Sequence, residues 1–130
     1  MDYIPLKALI VDTDEPAAIA LRQALDNIGD ILSVYIHNNI EDARRALNKL
    51  DINVIYIDPF SLGIENASNF IFQTRRQHPS VVFVLYYEPN LLRKEEIFFM
   101  RGNAKDSVII SLSKSQCRDQ VSIGAFMTRS

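Results

Sequence analysis

The sequence predicts an α/β fold in which a parallel, doubly wound sheet of five strands carries helices on both faces. First, five short apolar segments alternate along the chain with helix-length amphipathic patterns, an order typical of parallel sheets with right-handed crossovers. Second, the segments ALIV, VIYI and VVFVLYY are almost wholly apolar, as expected of strands that are covered on both faces. Third, an aspartate ends the first strand and another ends the third. The chain is expected to form one domain over residues 1–130.

The predicted strands are short, apolar and bounded by polar or turn-forming residues. They cover residues 8–11, 31–36, 54–57, 81–86 and 108–112. The expected strand order is 2-1-3-4-5, the flavodoxin-like order, which places the first and third strands side by side.

Five helical patterns occupy the segments between and after these strands. They cover residues 16–28, 39–50, 68–77, 90–101 and 115–127. The first pattern has Pro16 in its opening turn and Gly29 just beyond its end, the positions that these residues favour. The second follows Asn39, a good helix cap, and repeats apolar residues at spacings of three and four.

The composition argues against several classes of function. With 130 residues and a net charge of −2, the chain has no electrostatic reason to bind nucleic acid. Cys117 is the single cysteine, so an internal disulfide and a cysteine-based zinc site are excluded; a small buried apolar role is favoured for it. No apolar run approaches the ~20 residues that span a bilayer. We expect a soluble cytoplasmic protein that binds no membrane.

Three acids stand where the first and third strands end: Asp12, Asp14 and Asp58. They can cap helices, and for Asp14 capping is the favoured interpretation. Asp12 and Asp58 are distant in sequence, yet the expected strand order brings them to one edge of the sheet. Carboxylates packed there repel each other unless a cation or proton intervenes. Oxygen ligands of this kind suit Mg²⁺, and a Mg²⁺-supported aspartate can act as a nucleophile towards a phosphoryl group.

Four segments carry a resemblance to a known family. The stretch KALIVDTDEPAAIALRQAL resembles the first strand and helix of response-regulator receiver domains, especially those that precede LytTR-type DNA-binding domains. NIGDILSVYIHNNIEDARRAL is similar to the second strand and helix of that family, NVIYIDPF to the strand that bears the phospho-acceptor, and VVFVLYY to the fourth strand. The resemblance implies that Asp58 is the phospho-acceptor and that Asp12 and a neighbouring acid hold Mg²⁺.

The sequence also departs from the family at the residues that matter for phosphorylation. Thr13 separates Asp12 from Asp14, whereas the family has two adjacent acids. A substitution there loses one metal-binding carboxylate, and an insertion lets Asp14 replace it. Tyr86 stands at the position of the serine or threonine that senses the phosphoryl group, and it could not make the same short inward hydrogen bond without repacking. Lys114 matches the family's lysine only if the preceding loop absorbs an insertion; a solvated position at a helix start is favoured.

These observations leave two functions open. The favoured one is an atypical receiver-type signalling module of a two-component phosphorelay that acts through phosphorylation-tuned or constitutive protein–protein interaction. It would bind Mg²⁺ weakly through Asp12, Asp14 and Asp58 and have a sensor histidine kinase or another signalling protein as partner. The other is a degenerate pseudo-receiver that serves only as an interaction or dimerisation module. The four glycines form neither G-x-G-x-x-G nor a Walker loop, which argues against a nucleotide-binding enzyme, and we expect no independent enzyme. A stand-alone protein and a fragment of a longer regulator are equally compatible with the sequence.

An interaction surface is expected near the carboxyl end of the chain. The segment 90–100 carries more apolar residues than one helix face buries, so Phe98 or Phe99 is expected to be exposed. Phe126 lies off the apolar stripe of the last helical pattern. We expect Phe98 or Phe99, together with Phe126, to mediate partner binding or a homodimer, because the corresponding face commonly does so in receivers.

Overall fold

The computed structural model describes residues 6–27, 31–87 and 109–113. Within these ranges five strands and four helices follow one another along the chain. They are β1 (Leu6–Val11), α1 (Glu15–Asp26), β2 (Ile31–His37), α2 (Ile40–Lys49), β3 (Val54–Ile57), α3 (Pro59–Leu62), α4 (Ile64–Gln77), β4 (Val82–Tyr87) and β5 (Ile109–Ser113).

The five strands form one parallel sheet in the order β2-β1-β3-β4-β5. This is the order that the sequence predicted, and it confirms the doubly wound α/β fold. Val11 pairs with Ile57, and Ile57 pairs with Leu85. The residues that follow these three positions therefore share one row at the carboxyl edge of the sheet.

The sheet separates two apolar layers. The four residues of β3 are all buried, as expected for a central strand rich in β-branched residues. On one face, α1 contributes Ala18, Leu21 and Leu25 to a layer that also contains Tyr56. On the other face, α2 and α4 pack over alternate residues of the same strands; the buried members of this layer include Leu9, Ile55, Phe70, Ile71 and Phe83.

Helix boundaries follow from the capping residues. Asp14 caps α1 and accepts a hydrogen bond from the backbone N–H of Ala17. Asn39 caps α2 through a reciprocal pair of bonds. Its side-chain oxygen accepts from the backbone N–H of Asp42 at 2.8 Å, and its side-chain nitrogen donates to the Asp42 carboxylate at 2.9 Å. This pairing satisfies one of the N–H groups that a helix start leaves without a partner.

The segment after β3 differs from the prediction. A helix was expected over residues 68–77, but α4 begins at Ile64 and follows the single-turn helix α3, which was not predicted. Gly63 joins the two with a φ of +94°, a conformation that L-residues with a side chain rarely adopt. Gly63 provides no side-chain cap for α4, so the sequence carried no capping signal at the true start of the helix.

The remaining boundaries shift by a few residues. Strand β1 starts at Leu6 and β2 extends to His37. The last two strands cover Val82–Tyr87 and Ile109–Ser113, and α1 ends at Asp26. The helices predicted over residues 90–101 and 115–127 lie outside the described residues. In the part of the chain that the structure describes, no helix combines the length and the apolar character needed to cross a membrane.

The cap of α2 gives a stability prediction. Removing the side chain in Asn39→Ala should destabilise the fold by about 1 kcal/mol, because the Asp42 N–H loses its partner. The hydrogen bond from Asn39 lowers the pKa of Asp42, and the nearby Arg45 adds to that effect. A lowered pKa in the folded state stabilises the protein at neutral pH, and this contribution is lost as the pH falls through that pKa. The cost of Asn39→Ala should therefore be smaller in acid.

Urea unfolding at neutral and acidic pH measures this cost. Asn48→Ala is the matched control, because Asn48 is an exposed residue of the same helix and alanine has the higher helix propensity. It should cost nothing at either pH. Equal effects of the two substitutions would contradict the assignment of the cap to Asn39.

Candidate functional site

Three polar residues form a row at the carboxyl edge of the sheet. Asp12 follows β1, Asp58 follows β3, and Tyr86 lies in β4 at the next position of the same register. The Asp58 backbone N–H donates to the carbonyl of Val11 at 3.1 Å, which keeps β1 and β3 paired up to the row itself. All three side chains are buried: Asp12 is 1% exposed, Tyr86 1% and Asp58 4%. The sequence prediction that the two acids end neighbouring strands is confirmed.

The Asp12 carboxylate receives three hydrogen bonds from three different segments. The Tyr86 hydroxyl donates to Oδ2 at 2.6 Å. The backbone N–H of Asp14 and the hydroxyl of Ser61 lie 2.9 and 3.1 Å from Oδ1. A hydroxyl at 2.6 Å from a carboxylate oxygen falls in the short range of charge-assisted bonds. Such partners are what a buried carboxylate requires, because an unpaired buried charge is very costly.

The bond between Tyr86 and Asp12 crosses the end of the central strand. Strand β3 lies between β1 and β4, and neighbouring strands are about 4.8 Å apart. A side chain of β4 must therefore span roughly 10 Å, past the end of β3, to reach an acid of β1. Tyrosine is long enough to do so, whereas serine or threonine at the same position is not. The phenol of Tyr86 consequently lies across the strand end from which Asp58 emerges.

Ser61 joins the loop after β1 to the turn after β3. Its hydroxyl lies 3.1 Å from Asp12 Oδ1 and 3.2 Å from the Asp58 carbonyl oxygen. A hydroxyl has one proton to donate, and the charge on the carboxylate favours Asp12 as the acceptor. The same oxygen accepts from the backbone N–H of Thr13 at 3.3 Å. Ser61 thus connects the two loops that carry the acids.

Asp58 caps the short helix that follows it. Its Oδ1 accepts from the backbone N–H groups of Phe60 and Ser61 at 3.0 and 3.3 Å, and Pro59 occupies the first position of α3. An aspartate followed by proline is a favourable helix start. The carboxylate that the resemblance assigned as phospho-acceptor is therefore engaged by its own backbone turn.

Asp14 is exposed and caps α1. The sequence favoured this role, and the structure confirms it. Thr13 is also exposed, and it separates the buried Asp12 from Asp14, which caps α1.

The geometry of the acids does not favour a magnesium site. Among the described residues, no three acidic, histidine or cysteine side chains come together as a group that could hold a metal ion. Magnesium needs carboxylate oxygens in a nearly octahedral arrangement with water. Both oxygens of Asp12 already accept hydrogen bonds from protein groups. Metal binding by Asp12, Asp14 and Asp58 therefore stays a prediction, and the residues as arranged do not fit the ion.

Four other predicted site residues lie outside the described part of the chain. Lys114, considered for a role beside the phospho-acceptor, is one of them. The other three are Phe98, Phe99 and Phe126, which were expected to form an interaction surface. Their roles stay predictions.

Sequence reasoning missed Ser61 and the true partner of Tyr86. Tyr86 does make a short inward hydrogen bond, and its acceptor is Asp12, 74 residues away along the chain. The predicted strand order pointed to Tyr86, because it places the end of the fourth strand beside the strand ends that carry Asp12 and Asp58. The signal for Ser61 was its spacing of three from Asp58, which puts it on the first turn of a helix capped by that aspartate.

A cleft of about 350 Å³ opens on the β2 side of Asp12. Its lining includes Asp12, Glu15, Arg22, His37 and Asn38. In open parallel sheets ligands bind outside the carboxyl ends of the strands near a switch point, and this cleft lies at that edge.

Comparison with solved structures identifies the fold. The receiver domain of the stress response regulator RcsB from Escherichia coli matches with a TM-score of 0.75 and 15% identity, over 95% of this chain and 94% of that domain. A signal receiver domain of an HD domain-containing protein from Pseudomonas fluorescens Pf-5 matches with a TM-score of 0.72 and 17% identity, over 96% and 92%. The chain has the fold of a response-regulator receiver domain.

A further receiver fold matches at a similar level. The beryllofluoride-activated receiver domain dimer of NtrC4 has a TM-score of 0.67 and 16% identity, over 91% of this chain and 94% of that one. No family model matches the sequence, and no curated protein matches it. The receiver fold is thus established by three-dimensional similarity.

The bond between Tyr86 and Asp12 gives the second prediction. Tyr86→Phe removes one hydroxyl and leaves the buried carboxylate with one donor fewer, so the free energy of unfolding should fall by about 1.5–3 kcal/mol. Tyr87→Phe is the control, because the Tyr87 ring is half-buried and packs edge-on against Phe60 at 5.6 Å. Its loss of a hydroxyl should change stability by less than about 0.5 kcal/mol. Chemical denaturation of both variants measures the difference, and equal effects would show that the Tyr86 hydroxyl is not a required partner of Asp12.

Proposed function

We propose that this chain is a signalling module of the receiver fold that works through protein–protein contacts, with its aspartate pocket held closed by Tyr86. The observation that supports this proposal is the 2.6 Å hydrogen bond from the Tyr86 hydroxyl to Asp12. This bond engages Asp12, an acid that phosphorylation would need. It also places the Tyr86 side chain across the end of β3, the strand that Asp58 follows. The module has no catalytic role of its own in this proposal.

The engagement of the second acid supports the same function. An aspartate that accepts a phosphoryl group must present a carboxylate oxygen to the donor in line with the bond that breaks. Asp58 is 4% exposed and accepts two backbone N–H groups. These bonds draw electron density from Oδ1 towards the helix start, which makes that oxygen a poorer nucleophile. Both carboxylates therefore stabilise the fold: Asp12 links separate segments and Asp58 caps α3.

A phospho-switch is the second candidate, and the shared row of Asp12 and Asp58 favours it. Two solved neighbours are described with a phosphoryl mimic: the MaeR response regulator bound to beryllium trifluoride and the beryllofluoride-activated NtrC4 receiver dimer. In this candidate a sensor histidine kinase is the partner, Mg²⁺ assists, and Tyr86 must leave Asp12 before Asp58 can react. In the favoured function the partner is another signalling protein or a second copy of the chain. Both functions would be carried out in the cytoplasm.

The two functions differ in their response to a small phosphoryl donor. Incubation with acetyl phosphate and Mg²⁺, followed by intact mass spectrometry, should leave the wild type without an added phosphoryl group. Tyr86→Thr restores the short residue of the receiver family and removes the cross-strand bond. If the bond is what closes the pocket, this variant should gain a phosphoryl group as an acyl phosphate on Asp58, with release of acetate.

Asp58→Asn in the Tyr86→Thr background is the control, and it should abolish the added mass. A wild type that is phosphorylated on Asp58 to high occupancy would overturn the closed-pocket function and establish the phospho-switch. An unmodified Tyr86→Thr variant would contradict closure of the pocket by Tyr86.

A further inference from the structure

A polar groove separates helices α2 and α4 on the face of the sheet opposite α1. Its volume is about 600 Å³. The two helices are joined across it by a hydrogen bond in which Arg44 donates to the side-chain oxygen of Gln73 at 2.7 Å. The residues of its lining that matter here are Asn39, Glu41, Arg44, Ser61, Asn69 and Gln73.

Phe72 lies on the solvent face of α4, next in sequence to the groove residue Gln73, and is 52% exposed. Among the residues whose side chains the structure describes, it is the one large hydrophobic residue with an exposed side chain. Helix α4 buries Ala67, Phe70, Ile71 and Thr74. At about 100° per residue, Phe72 lies nearly opposite the middle of that buried stripe, so no adjustment of the helix packing can bury it. An aromatic residue fixed in that position is available to a partner.

Cationic side chains accompany Phe72. The Arg76 guanidinium carbon lies 5.8 Å from the centroid of the Phe72 ring, within the range of a cation–π contact. Arg44 is exposed at the groove, and its bond to Gln73 is to a neutral oxygen, which leaves its charge uncompensated by that partner. Arg45, by contrast, pairs with Asp42 at 2.6 Å. Glu41 also lines the groove, but α2 and α4 together carry five basic residues (Arg44, Arg45, Lys49, Arg75 and Arg76) and three acidic ones (Glu41, Asp42 and Glu65), so this face of the protein has a local excess of positive charge.

Carboxamide groups line the α4 side of the groove. Asn66, Asn69 and Gln73 are exposed residues of α4 that line the groove. Each carboxamide can both donate and accept a hydrogen bond, as can each peptide group of an extended chain. A surface of alternating donors and acceptors therefore matches a peptide backbone better than it matches a ligand that only accepts.

We propose that the α2–α4 groove binds an extended, acidic peptide segment of a partner protein. An apolar side chain of the segment packs on Phe72, its carboxylates pair with Arg44 and Arg76, and its backbone bonds to the carboxamides. Aromatic residues and arginine are the types that dominate binding energy at protein interfaces. Charge complementarity selects an acidic segment, and the carboxamides, which can both donate to and accept from peptide groups, favour a peptide over nucleic acid as the occupant.

This inference identifies the contact surface that the proposed function needs, and it is tested separately from that function. The acetyl phosphate experiment reports on Asp58 alone. Peptide binding reports on Phe72 and Arg76, which lie on the solvent face of α4 away from the row of Asp12, Asp58 and Tyr86. Failure of either experiment therefore leaves the result of the other intact.

Selection from a phage-displayed library of random linear peptides tests the proposal. Clones are selected on the wild-type protein and then counter-selected on the double variant Phe72→Ser/Arg76→Glu. The surviving peptides should combine several acidic residues with at least one large apolar residue. As synthetic peptides measured by fluorescence anisotropy, they should bind the wild type at least about tenfold more tightly than the double variant, and Arg44→Glu should weaken them similarly.

Lys49→Glu is the matched control for charge. Lys49 is exposed in the last turn of α2, as Arg76 is in the last turn of α4, so both reversals change the net charge and the helix dipole interaction alike. Lys49→Glu should leave binding within about twofold, because Lys49 lies outside the groove lining and it is Arg76 that lies over the Phe72 ring. Unchanged thermal unfolding of all variants excludes misfolding as the cause.

Three results of the peptide selection would overturn the proposal. One is that no clone distinguishes the wild type from the double variant. Another is that discriminating clones lack an excess of acidic residues. The third is that Lys49→Glu weakens binding as much as Arg76→Glu, which would show that peptide binding depends only on the net charge of the protein. Binding of a labelled DNA duplex that Arg44→Glu abolishes would replace the peptide with nucleic acid as the occupant.

Discussion

The buried carboxylate of Asp12 is the constraint on which the carboxyl edge of this sheet depends. A charge that is 1% exposed is stable only with donors close to it. The chain provides them from the start of α1, from α3 and from β4, as Asp14, Ser61 and Tyr86. Each donor comes from a different segment of the chain. The Asp12 side chain therefore holds the ends of β1, β3 and β4 in place relative to one another.

Two acids in the same row consequently differ in what surrounds them. Asp12 is the centre of contacts between segments, whereas Asp58 accepts from its own turn and starts α3. A receiver fold alone does not decide whether the acids bind a metal or accept a phosphoryl group, because function depends on the geometry of the site. The long side chain of Tyr86 is what separates this pocket from one with serine or threonine, since only the longer residue spans the width of β3.

The sequence predicted most of the architecture because the relevant signals were local. Alternation of apolar strands and amphipathic helices indicated the parallel sheet, and Asn39 marked the start of α2 through its own side chain. The contact between Tyr86 and Asp12 joins residues far apart in sequence, so no local pattern contained it. The boundary between α3 and α4 depends on a backbone conformation of Gly63 with no side-chain cap, and for that reason the start of α4 was placed four residues too late.

Ser61 links the row of acids to the groove between α2 and α4. Its hydroxyl is within hydrogen-bonding distance of Asp12 Oδ1, and the residue also lines the groove, as does Thr13, whose N–H donates to Ser61. A ligand shifts a conformational equilibrium only as far as it contacts the two states differently. An occupant of the groove that competes for the Ser61 hydroxyl would remove one donor to Asp12, and loss of that donor would weaken the arrangement that Tyr86 completes. The shared residue gives the two surfaces a physical route of coupling that needs no metal ion and no phosphoryl group.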